Sequence, residues 1–228
     1  PALPPTQDQA AAEPPTQVPP DPAPPPAPLP NLNDSNTLMT EVFSDLFGAE
    51  SVRELFAPDE LVRRFVVTVD NLPNKKLPRQ QLLMKRATGP FAVAGEAGQL
   101  TISPDNAARY APYVQLAAHT DAQQLVDVYV SFYPMFQEAY AELGEPNAYF
   151  NDHLVDVIDH LLDTPTVEGP IRLVQPKVFY EYADPKLEAL SAGQKLLLRM
   201  GSANAGQIKA KLREIRQALT RVPAQRGD

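Results

Sequence analysis

Apolar side chains recur at three- and four-residue intervals along most of the chain beyond Asn31, the period that lines one face of an α-helix. Leu38, Met39, Val42, Phe43, Leu46 and Phe47 form the first stripe, behind the natural cap residues Asp34 and Ser35 and before a stop at Gly48. Ser51 to Phe56 predicts a short second helix. Pro58 suits a first helical position, and Leu61, Val62, Phe65, Val66 and Val69 carry a third helix to Asn71. From Leu72 to Gly98 the period is lost among Pro73, Pro78, Gly89, Pro90, Gly95 and Gly98, so this stretch reads as an irregular, surface-wrapping segment. Phe91–Ala94 and Leu100–Ser103, flanking Gly95 to Gln99, read as a small hairpin.

Helical spacing resumes at Ser103-Pro104 and runs through Ala118 with Tyr110, Tyr113, Val114 and Ala117 on one face, interrupted by a potential breaker at Pro112. Asp121 caps the longest pattern, Leu125 through Leu143, in which Pro134 predicts a kink because its ring removes one backbone bond. Asn151 caps a helix over His153–Asp163, ended by Thr164-Pro165. Val178–Tyr182 suits a short strand or extended crossing. Asp184-Pro185 opens a helix through Met200, and Ser202 leads a last one with Ile208, Leu212, Ile215 and Leu219 in one stripe. The expectation is a mainly α fold: a single helical domain over residues 31–228, with about seven to eight helices and a small β-hairpin or extended segment. No repeat is present.

Residues 1–30 change the picture, because they hold 13 of the 26 prolines and almost no large apolar side chain. Such a segment cannot offset its ordering entropy by burial, so it is expected to be a disordered, extended Pro/Ala-rich spacer; a ligand for a proline-recognising domain is the alternative. The chain opens at Pro1 rather than Met, which leads to the expectation of an upstream segment, such as a signal or anchor. No window approaches the roughly 18–20 consecutive apolar residues that span a bilayer. The absence of cysteine removes disulfides, thiolate metal sites and cysteine nucleophiles. The net charge of −8 divides unevenly, about −14 before Lys195 and +6 from there on, and its acidic balance argues against a dedicated nucleic-acid binder.

Five separated segments, in order, carry a family resemblance. They are Val67–Pro73; Arg109-Tyr110 with Pro112-Tyr113-Val114; Tyr133-Pro134 with Ala139-Tyr140; Phe150-Asn151-Asp152 with Ile158–Leu162; and Ser191–Lys195 with Arg199-Met200-Gly201 and Lys209–Arg213. Together they resemble the bacterial domain of unknown function 3014. The resemblance implies a single-pass inner-membrane protein with an N-terminal anchor, a Pro/Ala-rich spacer and this domain in the periplasm. It implies no catalytic residue, and it leads to the expectation of Arg where this chain has His153, paired with Asp156 or Asp152.

Three constellations offer chemistry. Asp152, His153, Asp156, Asp159, His160 and Asp163 share one arc of a helix, so Asp156, Asp159 and His160 are candidate metal ligands or an acid/base set; a solvated helix face is the alternative. Asp70 and Asn71 at a helix end, with Arg109, Tyr110 and Tyr113, are a candidate binding pocket for an anionic group, or a lock holding the irregular segment to the core. Lys209, Lys211, Arg213, Arg216 and Arg221 complement the last helix's dipole or face an anionic partner. His119 sits where helix capping accounts for it. Phosphate loops, nucleophile elbows, His-Glu-x-x-His and dinucleotide fingerprints are absent, and no cofactor is expected. The expected function is a membrane-tethered envelope binding module with a protein or cell-wall partner; the alternative is an enzyme or metal protein using the Asp/His face.

Overall fold

The computed structural model of the protein describes residues 28–221; the expected spacer falls almost wholly outside them, as do residues 222–228. The described chain is mainly helical, as expected, with ten α-helices, one 3-10 turn and two two-stranded hairpins among those residues.

The turn Leu32–Asp34 leads into α1 (Asn36–Phe47), α2 (Ala49–Leu55) and α3 (Leu61–Asn71). Ser35 precedes α1, yet its hydroxyl donates back to the Leu32 carbonyl at 2.7 Å instead of capping α1. Pro58 does not open α3. The chain turns through a left-handed Glu60, and the Asn36 amide group bridges Pro58 and Leu61, accepting from the Leu61 N–H at 3.3 Å and donating to the Pro58 carbonyl at 3.1 Å. The α3 N-terminus is thus fixed from α1.

The irregular segment between α3 and α4 contains the expected hairpin, β1 (Val93–Ala94) with β2 (Thr101–Ile102). Gly95 turns it at φ 92°, and a side chain there would stand 2.5 Å from the Gln99 carbonyl. α4 (Asn106–His119) contains Pro112 without breaking; Pro112 and Ala108, whose carbonyl loses its partner, both lie on the exposed face where solvent can bond it. The expected kinked helix is instead two, α5 (Ala122–Ser131), capped by Asp121, and α6 (Tyr133–Glu142), with Phe132 leaving helical geometry between them so that Pro134 falls in the first turn of α6. α7 (Phe150–Leu162) begins two residues earlier than Asn151 capping would give; its first N–H donates to Gln137 Oε1 at 2.9 Å.

A second hairpin follows, β3 (Leu173–Val174) with β4 (Glu181–Tyr182), and an antiparallel bridge between Thr101 and Arg172 joins it to the first. The helix expected from Asp184 through Met200 is also two, α8 (Pro185–Glu188) and α9 (Ala192–Arg199), before α10 (Ser202–Arg221). α10 packs along α4, α5, α7 and α9, while α3 packs on α1, α6 and α7. The main core runs from Leu32 to Leu219, and its centre is aromatic: Phe136 stacks on Phe150 at 6.4 Å, with Phe65, Tyr129 and Tyr140 edged around them. A second cluster, Leu173, Tyr182 and Leu198 with Phe91, Ile171 and Tyr180 against it, underlies the hairpins.

Candidate functional site

The Asp/His arc of α7 faces three different neighbours. Asp159 holds Arg216 of α10 through both carboxylate oxygens, with Nη2 at 2.7 Å; the hydrogen bond and the charge of Arg216 keep its carboxyl below the usual range. His160 Nε2 lies 2.9 Å from Ser191 Oγ. Asp156 is exposed. Among the described residues no group of three His, Asp or Glu side chains is placed to hold a metal ion, and two of the three candidate ligands, Asp159 and His160, are drawn toward separate helices by partners the one-dimensional arc could not display.

Ser191 and His160 stand as a Ser–His pair, the minimum of a nucleophile and its base. The surroundings give the pair another task. Ser191 is only 4% exposed, and its hydroxyl accepts the Gln194 N–H at 3.2 Å while the Gln194 side chain accepts the Ser191 N–H at 3.3 Å, a complete capping box. The same Gln194 donates to the His160 carbonyl at 3.1 Å. The next two donors of α9 are used as well: Ala192 N–H meets the Asn74 carbonyl at 2.7 Å and Gly193 N–H the Leu72 carbonyl at 2.9 Å. Gly193 permits this approach because a Cβ there would stand 2.7 Å from Leu161 Cδ2 and 3.0 Å from the Leu72 carbonyl. The start of α9 is therefore plugged by the end of α3 and by α7, with its orphan donors satisfied.

Asp70 and Arg109 do not share a site. Asp70 Oδ1 approaches His153 Nε2 at 3.3 Å, without hydrogen-bonding alignment, and the His153 ring stacks on Tyr140 at 5.3 Å. Position 153 thus faces Asp70 on α3. Asn71 donates to the Val67 carbonyl at 2.9 Å. Arg109 donates to the carbonyls of Thr88 and Gly89 and to Asn106 Oδ1, each at 3.0 Å, and lies over the Tyr110 ring at 5.6 Å; Tyr113 OH donates to the Lys85 carbonyl at 3.0 Å. Arg109 and Tyr113 form the lock on the irregular segment that their sequence positions suggested, with backbone carbonyls in place of Asp70 as acceptors.

The cations of α10 are mostly engaged in the same way. Lys209 donates to the Thr164 carbonyl behind α7, and Lys211 reaches the Thr120 carbonyl at 2.9 Å. Burial, then Arg213 nearby, pull the Lys209 ammonium below its usual range. Arg213 and Arg221 are exposed. Sequence reasoning missed one polar feature. Tyr129 OH, buried between α5 and α7, has no hydrogen-bond partner among the described residues, and burial, then Tyr133 and Asp152, push its phenol up.

Three of the five segments that carry the family resemblance meet at one junction, where the end of α3, α7, the start of α9 and Lys209 of α10 come together, while the Arg109–Val114 segment of α4 holds the irregular stretch. A family model described as Protein of unknown function (DUF3014) matches residues 61–216, and the chain belongs to that family. No curated protein and no solved structure matches it.

Proposed function

We propose that this chain is a binding module of the bacterial envelope, held outside the inner membrane by an anchor and the proline-rich spacer, and that it recognises another envelope protein or a cell-wall component. The observation that carries the binding reading is how the two kinds of residue are distributed. The acidic, basic and histidine side chains that a chemical site would use are mostly committed to joining helices, whereas Leu143, Tyr149, Val174, Val178 and Phe179 stand exposed on turns and hairpin edges. Exposed aromatic and aliphatic side chains at turns suit recognition, since aromatics contribute large contact area at low entropy cost. The tether and the location are supported by the family resemblance and by the proline content of residues 1–30.

The test is photo-cross-linking in cells. A cross-linker at Tyr149 gives an adduct of defined mass that the same group at Ala118 does not; recovery of the chain without adducts contradicts the binding reading. Protease added to spheroplasts digests the domain if it lies outside the inner membrane, and its protection contradicts the location.

A further inference from the structure

The turn between β3 and β4 places two consecutive large apolar side chains in water: Val178 is 79% and Phe179 76% exposed. Its base is fixed, because Leu173 and Tyr182, the second paired positions below it, are buried against Leu198. An apolar tip on a held stem costs solvation in the isolated protein and offers that energy to whatever covers it.

We propose that this turn inserts into the interfacial region of a lipid bilayer. Three features favour lipid over protein. First, the interfacial region is hydrated and can meet the open backbone groups of the turn, where Pro176 has no N–H and the Val178 carbonyl accepts from Gln175 Nε2 at 3.3 Å, whereas a dry protein pocket would have to supply a partner for each of the rest. Second, Lys177 is the only charged side chain between Gln175 and Tyr180, and its long stem lets the ammonium reach the headgroups while the apolar tip goes deeper. Third, the two side chains supply only a few hundred Å², below the roughly 1,000 Å² that a stable contact with a second copy or a flat protein surface requires. Lipid has no such threshold, because it closes around a protruding tip. The net charge of −8 gives no general attraction to an anionic surface, so the contact is apolar and insensitive to salt. The inference is independent of the tethered reading: the tip belongs to the folded chain whether or not an anchor precedes it.

The chain contains no Trp, so Phe179→Trp in the full chain is a single reporter at the tip. With phosphatidylcholine vesicles at millimolar lipid its emission shifts to the blue, lipids brominated near the headgroup quench it, and added salt leaves both effects unchanged. Adding Val178→Ser to the reporter chain weakens partitioning by about tenfold. Co-sedimentation of the unmodified chain with the same vesicles, lost on Phe179→Ser, is the matching result without a reporter. Emission unchanged by lipid together with no co-sedimentation overturns the proposal. So does binding confined to phosphatidylglycerol vesicles and removed by salt, and so does a blue shift that grows with protein concentration in the absence of lipid. The photo-cross-link at Tyr149 reads the partner separately, so either proposal can fail alone.

Discussion

The start of α9 and the tip between β3 and β4 are opposite solutions to the same problem of exposed local chemistry. At α9, backbone donors that would be orphaned are met by Ser191, Asn74 and Leu72, a histidine that reads as reactive is bonded to the capping hydroxyl, and a glycine lets the helix end touch its neighbours. At the tip, side chains that would normally be buried stand in water on a short, well-anchored stem. The difference is one of satisfaction: the polar groups at the start of α9 close their own hydrogen bonds, whereas the tip leaves apolar surface uncovered.

Filling the gap at Gly193 is the harshest way to break that contrast. Gly193→Val drives a side chain into Leu161 and the Leu72 carbonyl and lowers stability in urea unfolding by about 3 kcal/mol. Removing the cap is milder: Ser191→Ala costs about 1–2 kcal/mol by the same assay, because it also leaves His160 without its partner. Acid titration then separates charge from packing. The carboxyls of Asp159 and Glu142 are held below the usual range by hydrogen bonds from Arg216 and Arg63, so their contribution is complete above the ordinary carboxylate pKa and fades as pH falls through the depressed values. Both pairs are well solvated, so Arg216→Gln removes only a small part of the loss in melting temperature between neutral pH and about pH 3. At the tip, Phe179→Ser leaves stability within about 0.5 kcal/mol of the parent, since the ring has little packing to lose.

Helix existence was legible in the chain because long amphipathic stripes such as that of α3 state their own period. Two helix breaks were not. The stripe through Phe132 and Phe136 continues across the α5–α6 break, since Phe132 still packs on the core while its backbone leaves the helix. The α8–α9 break was marked by Ser191 and Gln194 at capping-box spacing, a signal submerged in the surrounding helical pattern. β3 was too short to show alternation and exists through its pairing with β4, next to the Thr101–Arg172 bridge. For the candidate site, the polar arc of α7 was visible, but its partners lie 31 residues away at Ser191 and 57 away at Arg216, separations no local pattern encodes. Likewise Arg109 found backbone carbonyls, which sequence does not distinguish, in place of the acidic side chain that charge alone suggested.

The central claim is that the α7 face builds a junction between helices. Thermal unfolding of the full chain and of His160→Ala, each with and without zinc, tests it most directly. The account predicts that zinc leaves the parent's melting temperature unchanged, and that His160→Ala lowers it equally in both conditions by the worth of one lost hydrogen bond, about 1 kcal/mol. A bound metal at about 100 times its dissociation constant adds roughly 2.7 kcal/mol. A zinc-dependent rise of that size, abolished by His160→Ala, would contradict the account and make the junction a metal site.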